Sequence, residues 1–318
     1  MNVVILCPPE IPVPLHGYAG IERICVDLLH EIIFKPIDYD AVTFCKPGAD
    51  AADHYLHAYP HDLSKLDMGQ DLTLDFTHTK LGAPWFKRSN YIAMNVLTDA
   101  ESGVNDVYQS IAVADGFHRP QGKVIYGGLD PSRYKYSAKK EDYLLFLGRM
   151  SKIKRPDIAV QVALATHKRI VMAGIFKGPM AEYPDPNWPS MVRGLDENHP
   201  SEVEIVEEPD DEKKAELLSK AMALIMPSQW SVIGSKESFG LTSVEALMSG
   251  TPVITSGEGG IAEVVTEETG ARCSSLDEYI DAIRHLDRFR PVKCHERGMK
   301  FTSARLLDNL LAHWEASR

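Results

Sequence analysis

Short apolar runs alternate along this chain with stretches in which apolar residues recur every three or four positions. The runs predict buried strands and the recurring stretches predict helices. The first series of strands falls at Val3–Cys7, Ala41–Cys45, Leu72–Asp75, Tyr91–Asn95, Ile111–Val113 and Lys123–Ile125, with a helix from about Ile21 to Ile33. A second series begins at Tyr143–Gly148 and continues with Ile170–Ala173, Val203–Val206, Ala223–Met226 and Val253–Ser256. Its helices fit at about Pro156–Ala165, Asp211–Ala221, Leu241–Ser249 and Ser275–Arg288, and the tail from about Cys294 to Arg318 reads as one terminal helix. Such alternation predicts βαβ units and parallel sheets. Segment 130–141 is polar and carries Pro131, which makes it the expected linker between two Rossmann-like halves. Segment 178–200, rich in Pro and Asn, is expected to be irregular. Ligands of open parallel sheets bind outside the carboxyl ends of the strands, so a cleft between the halves is the expected site.

Composition narrows the function classes. A chain of 318 residues suits two ordinary domains. The formal net charge of −11 disfavours nucleic acid as a partner, and the acidic stretch from Asp196 to Glu212 reads as a solvated surface. The five cysteines are scattered, odd in number and without a C-x-x-C pair, which favours free thiols in a reducing cytoplasm. No apolar run reaches the length of a membrane span, and Met1–Leu6 reads as a first strand rather than a signal peptide.

The most informative stretch is Glu237-Ser-Phe-Gly-Leu-Thr-Ser-Val-Glu245. Glu245 lies inside a helical pattern and Glu237 just before it. The Phe239-Gly240-Leu241 turn places free backbone N–H groups at a helix N-terminus, which attracts anions. One carboxylate near that anion site and another along the helix suit a ligand with both phosphate and hydroxyl groups. A nucleotide-sugar is such a ligand.

This stretch resembles the glutamate-x7-glutamate signature of retaining family-4 glycosyltransferases, which have the GT-B fold. Further elements resemble that family in the same order. Pro14-Leu-His-Gly17-Tyr18-Ala-Gly20-Ile-Glu22-Arg23 is similar to its glycine-rich first loop, and Asp75-Phe-Thr-His78 to its D-x-x-H element. Lys123-Val-Ile-Tyr-Gly127-Gly128-Leu-Asp130, the Tyr143–Arg149 strand followed by Lys154, and Gly259-Gly260-Ile-Ala-Glu263 complete the set.

The resemblance implies a GT-B α/β protein with two Rossmann-like domains facing a cleft. The acceptor-binding domain would span residues 1–135 and the nucleotide-sugar-binding domain 136–299, with a last helix at about 300–318 crossing back to the first, where Trp314 would pack. It implies a retaining hexosyltransferase that uses neither metal nor cofactor. The donor is a nucleotide-diphosphate sugar, with a UDP-sugar favoured, and the acceptor a saccharide, glycolipid or small metabolite. Catalytic roles fall on Glu237, His78, Arg149 and Lys154. Donor binding falls on Gly17, Gly20, Arg149, Lys154, Glu237, Ser238, Phe239, Gly240, Leu241 and Glu245. Arg149 and Lys154 clasp the diphosphate, Glu245 takes the ribose hydroxyls and Glu237 the sugar. The bland alternatives are surface cations for the basic pair, a structural ion pair for Glu245, a solvated loop acid for Glu237 and a surface or core histidine for His78.

Three departures stand out. Tyr18-Ala19 precede Gly20 where two adjacent glycines are common in the family, so the loop contact belongs to either Gly17 or Gly20. Tyr126-Gly127 stand where Pro-Asn is usual. Gln229–Lys236 separates Pro227-Ser228 from Glu237 and carries Trp230. Tyr18 and Trp230 are candidates for shaping the donor or acceptor pocket, and a packed structural loop fits the insert equally well. Asp38-Tyr-Asp40 spells a D-x-D but precedes a strand of the first domain, and His16, His54, His57 and His61 have no metal-ligand spacing. The basic, aromatic segment 80–88 suggests at most peripheral membrane contact. Rival readings are a nucleotide-sugar epimerase of the same architecture and a non-catalytic nucleotide-sugar-binding protein.

Overall fold

A computed structural model of the chain describes residues 1–8, 12–13, 20–34, 40–47, 56–60, 62–66, 68–77, 82, 84, 88–95, 105–177, 185–228 and 237–318. These residues form two compact units. Unit 1 comprises Met1–Asp130 and Phe301–Arg318, and unit 2 comprises Pro131–Lys300.

Unit 1 is built on a parallel sheet of β1 (Asn2–Leu6), β2 (Pro12–Val13), β3 (Asp40–Pro47), β4 (Leu56–Ala58), β5 (Leu72–Asp75), β6 (Tyr91–Asn95), β7 (Asp106–Tyr108) and β8 (Lys123–Val124). The spatial order is β2-β3-β1-β5-β6-β7-β8, with β4 also paired to β3. Residues Val3–Leu6 of β1 are buried, as expected of a strand flanked on both sides and covered on both faces. Helix Ile21–Phe34 packs its Ile24, Leu28, Leu29 and Ile32 face inward. The chain returns to this unit beside the segment by which it leaves. Leu129 N–H donates to Phe301 O at 3.0 Å and Ser303 N–H to Leu129 O at 2.9 Å. Helix Ser303–Ala316 follows, capped by Thr302, and its buried Trp314 donates from Nε1 to Ser89 O at 2.8 Å.

Unit 2 carries β9 (Tyr143–Arg149), β10 (Arg169–Ile175), β11 (Val203–Glu207), β12 (Ala223–Met226), β13 (Val253–Thr255) and β14 (Gly270–Arg272), all parallel, in the order β11-β10-β9-β12-β13-β14. The chain runs outward from β9 through β10 to β11, then returns to the other side of β9 with β12. The carboxyl ends of β9 and β12 therefore flank the topological switch point, where such sheets bind ligands. Gly148 and Gly174 sit opposite each other across β9 and β10. Gly174 has φ +138°, and a Cβ there would lie 1.8 Å from Gly148 O, so only glycine fits this close backbone approach.

Several expectations are corrected. Ile111–Val113 is not a strand but the start of helix Ile111–Gly116, because Ser110 caps it by accepting from Val113 N–H at 3.1 Å; the strand is β7, just before. Segment 178–200 is not irregular throughout, since Trp188–Asn198 is helical. Pro189 is tolerated at its first turn, and Val192 and Leu195 pack into the unit 2 core. The helix after Ser275 ends at Arg284. The tail is two helices, Pro291–Gly298 and Ser303–Ala316. The expected linker is packed along unit 2: Tyr134 is buried, Ser137 N–H donates to Ser249 O at 3.2 Å and Glu141 N–H to Lys220 O at 2.7 Å. All five cysteines are buried free thiols. No helix among the described residues is long and apolar enough to cross a membrane.

Candidate functional site

Three loops of unit 2 leave the carboxyl ends of adjacent strands. The loop after β9 begins at Arg149 and turns tightly, with Ser151 N–H donating to Arg149 O at 2.8 Å and Lys154 N–H to Ser151 O at 3.0 Å. Arg155, in the left-handed region at φ +52°, then hands the chain to Pro156 and helix Pro156–Thr166. That turn brings Lys154 back to the strand end. The segment that follows β12 re-enters at Glu237, and Lys154 Nζ donates to Glu237 Oε2 at 2.5 Å. The third loop follows β13, and its Gly260 N–H donates to Glu237 O at 2.7 Å. Glu237 is thus held through its side chain by one strand-end loop and through its backbone by another.

Gly240 starts helix Leu241–Met248. Its φ of +80° and ψ of 57° are left-handed, a conformation natural to glycine, and a Cβ would crowd Ile261 Cγ1 and Ser243 Oγ at 3.2 Å. The helix's own bonding begins with Ser243 N–H donating to Gly240 O at 2.9 Å. The N–H groups of Leu241 and Thr242 therefore precede the hydrogen-bonded ladder, as at any helix N-terminus. Ser243 Oγ donates back to Gly240 O at 2.5 Å and holds the turn. Arg297, from helix Pro291–Gly298, donates to Val264 O at 2.9 Å and to Glu263 O, which fixes the short helix Ile261–Val264 after the third loop.

Glu245 lies on the same helix and is buried, 6% exposed. It has partners that sequence reasoning did not name. Tyr134 Oη donates to Glu245 Oε1 at 2.9 Å, and Lys214 Nζ donates to the same oxygen at 3.0 Å. Lys214 comes from helix Asp211–Lys220, where Asp210 caps the first turn. The signal for Lys214 was present in the sequence: it lies three and four positions before Leu217 and Leu218, on the face that packs inward. The structural ion pair considered for Glu245 is therefore present, and it occupies Oε1.

In unit 1 the equivalent switch point lies between β1 and β5. Gly20 stands at the start of helix Ile21–Phe34, with Arg23 N–H donating to its carbonyl at 3.1 Å. Asp75, at the end of β5, is fully engaged: Oδ1 accepts from Thr77 N–H at 2.8 Å and Thr77 Oγ1 at 2.6 Å, and Oδ2 from Gly82 N–H at 2.9 Å and Tyr91 Oη at 2.6 Å. Burial pushes its carboxyl above the ordinary range, and these four bonds oppose that shift. Asp75 is a brace for the strand end, a role that the D-x-x-H pattern did not disclose. Gly17, Tyr18, His78 and Trp230 lie outside the described residues, as do Asp38 and the Gln229–Lys236 insert.

Known proteins resemble this chain in sequence and in fold. Residues 132–288 match the model of the family described as glycosyl transferases group 1. This matched stretch is a little under half of the chain. It contains all three strand-end loops, from Arg149 to Gly260. D-inositol 3-phosphate glycosyltransferase of Mycobacterium bovis is 33% identical over 152 residues, which cover 46% of this chain and 30% of that relative. The chain thus spans about 30% of the length of the curated relatives it matches. The glycosyltransferase AviGT4, involved in avilamycin A biosynthesis, superposes with a TM-score of 0.79 at 23% identity, covering 99% of this chain and 97% of its own. Anabaena HepE in complex with UDP and glucose gives 0.74 at 16% identity, covering 99% and 100%. These likenesses carry the fold: the chain has the GT-B α/β architecture of two parallel-sheet units.

Proposed function

We propose that this chain is a retaining glycosyltransferase that moves a sugar from a nucleotide-diphosphate sugar to a hydroxyl acceptor, without a resident metal or other cofactor. The observation that carries this reading is the Lys154–Glu237 contact at the sheet's switch point, beside Arg149 at the end of β9 and the N-terminus of helix Leu241–Met248. Breaking the bond between sugar and phosphate builds negative charge on the departing diphosphate. Arg149, Lys154 and the first N–H groups of that helix stabilise this charge more in the transition state than in the bound donor, which is what lowers a barrier. Glu245 accepts from the ribose hydroxyls and Glu237 from the hydroxyls of the transferred sugar. The acceptor oxygen attacks the anomeric carbon on the face the phosphate leaves, and its proton passes to the departing phosphate oxygen, which gives retention.

A uridine donor is supported by HepE, which shares the fold and was solved with UDP. A small polyhydroxyl acceptor is supported by the curated relatives, which are named for D-inositol 3-phosphate; a saccharide or glycolipid fits the same chemistry. A ligand that binds only the folded state raises its melting temperature. A thermal-shift panel of UDP-, GDP-, ADP- and dTDP-sugars should yield one stabilising donor class. Analysis of the product's anomeric configuration should then show retention. A flat panel, or an inverted product, contradicts the reading.

A further inference from the structure

We infer that Lys214 is a positioning residue for the nucleotide subsite: with Tyr134 it fixes Glu245 Oε1, so that Oε2 is the oxygen left to accept from the ribose vicinal diol. This rests on the assignment of Glu245 to the nucleotide ribose.

The geometry is specific. A lysine only 8% exposed is unusual unless it is paired, and Lys214 is paired twice, with Glu245 Oε1 at 3.0 Å and with Asp211 Oδ1 at 3.7 Å. Asp211 in turn stands 3.9 Å from Arg133 Nη1. Two chain segments therefore converge on one carboxylate oxygen. Helix Asp211–Lys220 supplies the ammonium, and the segment entering unit 2 supplies the Tyr134 hydroxyl. A buried carboxylate without such partners would be strongly disfavoured, and one with a single partner could rotate. Two donors on Oε1 set the plane of the carboxylate before any ligand arrives. Pre-orientation of this kind raises affinity by removing an ordering cost at the moment of binding.

The consequence is selective. A carboxylate locked for a diol discriminates strongly against a nucleotide that lacks it, because a site built to hydrogen-bond a hydroxyl is left with an unpaired buried group. Loosening the lock weakens the diol contact and leaves the phosphate and base contacts alone. Lys214 therefore acts on discrimination rather than on nucleotide binding as a whole.

The test is calorimetric titration of UDP and of its 2′,3′-dideoxy analogue into the wild-type protein and into Lys214→Arg, Lys214→Met and Tyr134→Phe variants, with folding checked by circular dichroism. The wild type should prefer UDP by roughly tenfold or more, as for loss of hydrogen bonds to a charged acceptor. Lys214→Met should bring that ratio close to one while binding of the dideoxy analogue changes little. Tyr134→Phe should lower the ratio partly, and Lys214→Arg should keep most of it. If Lys214→Met fails to fold, the Tyr134→Phe and Lys214→Arg ratios decide. An unchanged ratio in the folded variants, with both nucleotides weakened alike, overturns the inference and leaves the glycosyltransferase reading standing. A wild type that binds UDP, GDP and ADP no better than their dideoxy analogues overturns both.

Discussion

Lys154 and Glu237 lie 83 positions apart in sequence and 2.5 Å apart in space, joined by a contact between the loops that follow β9 and β12. Glu237 is 17% exposed and Lys154 16%, so each charge is held by the other in a partly dry setting. A carboxylate tied to a cation, at the reacting end in the proposed mechanism, differs from one buried a turn and a half along the helix. The two glutamates should therefore fail differently. Glu237→Gln should lower kcat and kcat/KM together, the mark of lost transition-state stabilisation, whereas Glu245→Gln should raise donor KM with kcat nearly kept. Steady-state kinetics with varied donor distinguish them, and the reverse pattern would mean that their roles are exchanged.

Gly240→Ala should destabilise unit 2 by about 1–2 kcal/mol, the usual penalty for a side chain in the left-handed region. The contacts with Ile261 and Ser243 at 3.2 Å tilt it upward. Gly174→Ala places a Cβ against backbone and should cost more, about 4 kcal/mol or above. Denaturant unfolding of the two variants checks the order.

Lys140 gives a pH signature. Its Nζ donates to Ser219 O at 2.8 Å, Ser249 O at 3.3 Å and Thr251 Oγ1 at 2.8 Å, and burial lowers its pKa from 10.5 to about 8. Between those values the unfolded chain holds a proton that the folded chain has released. Stability from this group therefore rises with pH across that window, and below it both states are charged and the cost of burial remains. The difference in unfolding free energy between wild type and Lys140→Met should grow from pH 8 to pH 10.5 and stay flat from pH 6 to 7.5.

Metal removal should leave turnover unchanged. In the proposed mechanism Arg149 and Lys154 bring to the diphosphate the positive charge that a metal would otherwise supply. Activity abolished by EDTA and restored by Mg²⁺ or Mn²⁺ would count against the mechanism.

Much of the fold was legible in the sequence because buried parallel strands such as Tyr143–Arg149 are continuous apolar runs that resist other readings. Ile111–Val113 misled because three apolar residues have no period, and a serine cap decided the matter. Trp188–Asn198 was hidden by Pro189 and Gly194, which are local helix breakers that position or packing can tolerate. The site was legible where one loop carries it, as at Glu237–Leu241. The contacts of Glu245 with Tyr134 and Lys214 were not, because they join residues 111 and 31 positions distant, and no local pattern records such pairs. Asp75 was read as part of a motif, but its four donors come from three separate residues that only the fold assembles.

The central claim is that Arg149 and Lys154 stabilise a departing diphosphate. Its most direct test is the rate of nucleoside diphosphate release from the nucleotide-sugar that stabilises the protein, measured for wild type, Arg149→Ala and Lys154→Ala at matched folding. Release by the wild type, lowered roughly 10²–10³-fold in each variant, is the predicted result, by analogy with losing one transition-state donor. Undiminished release in both variants would contradict the account.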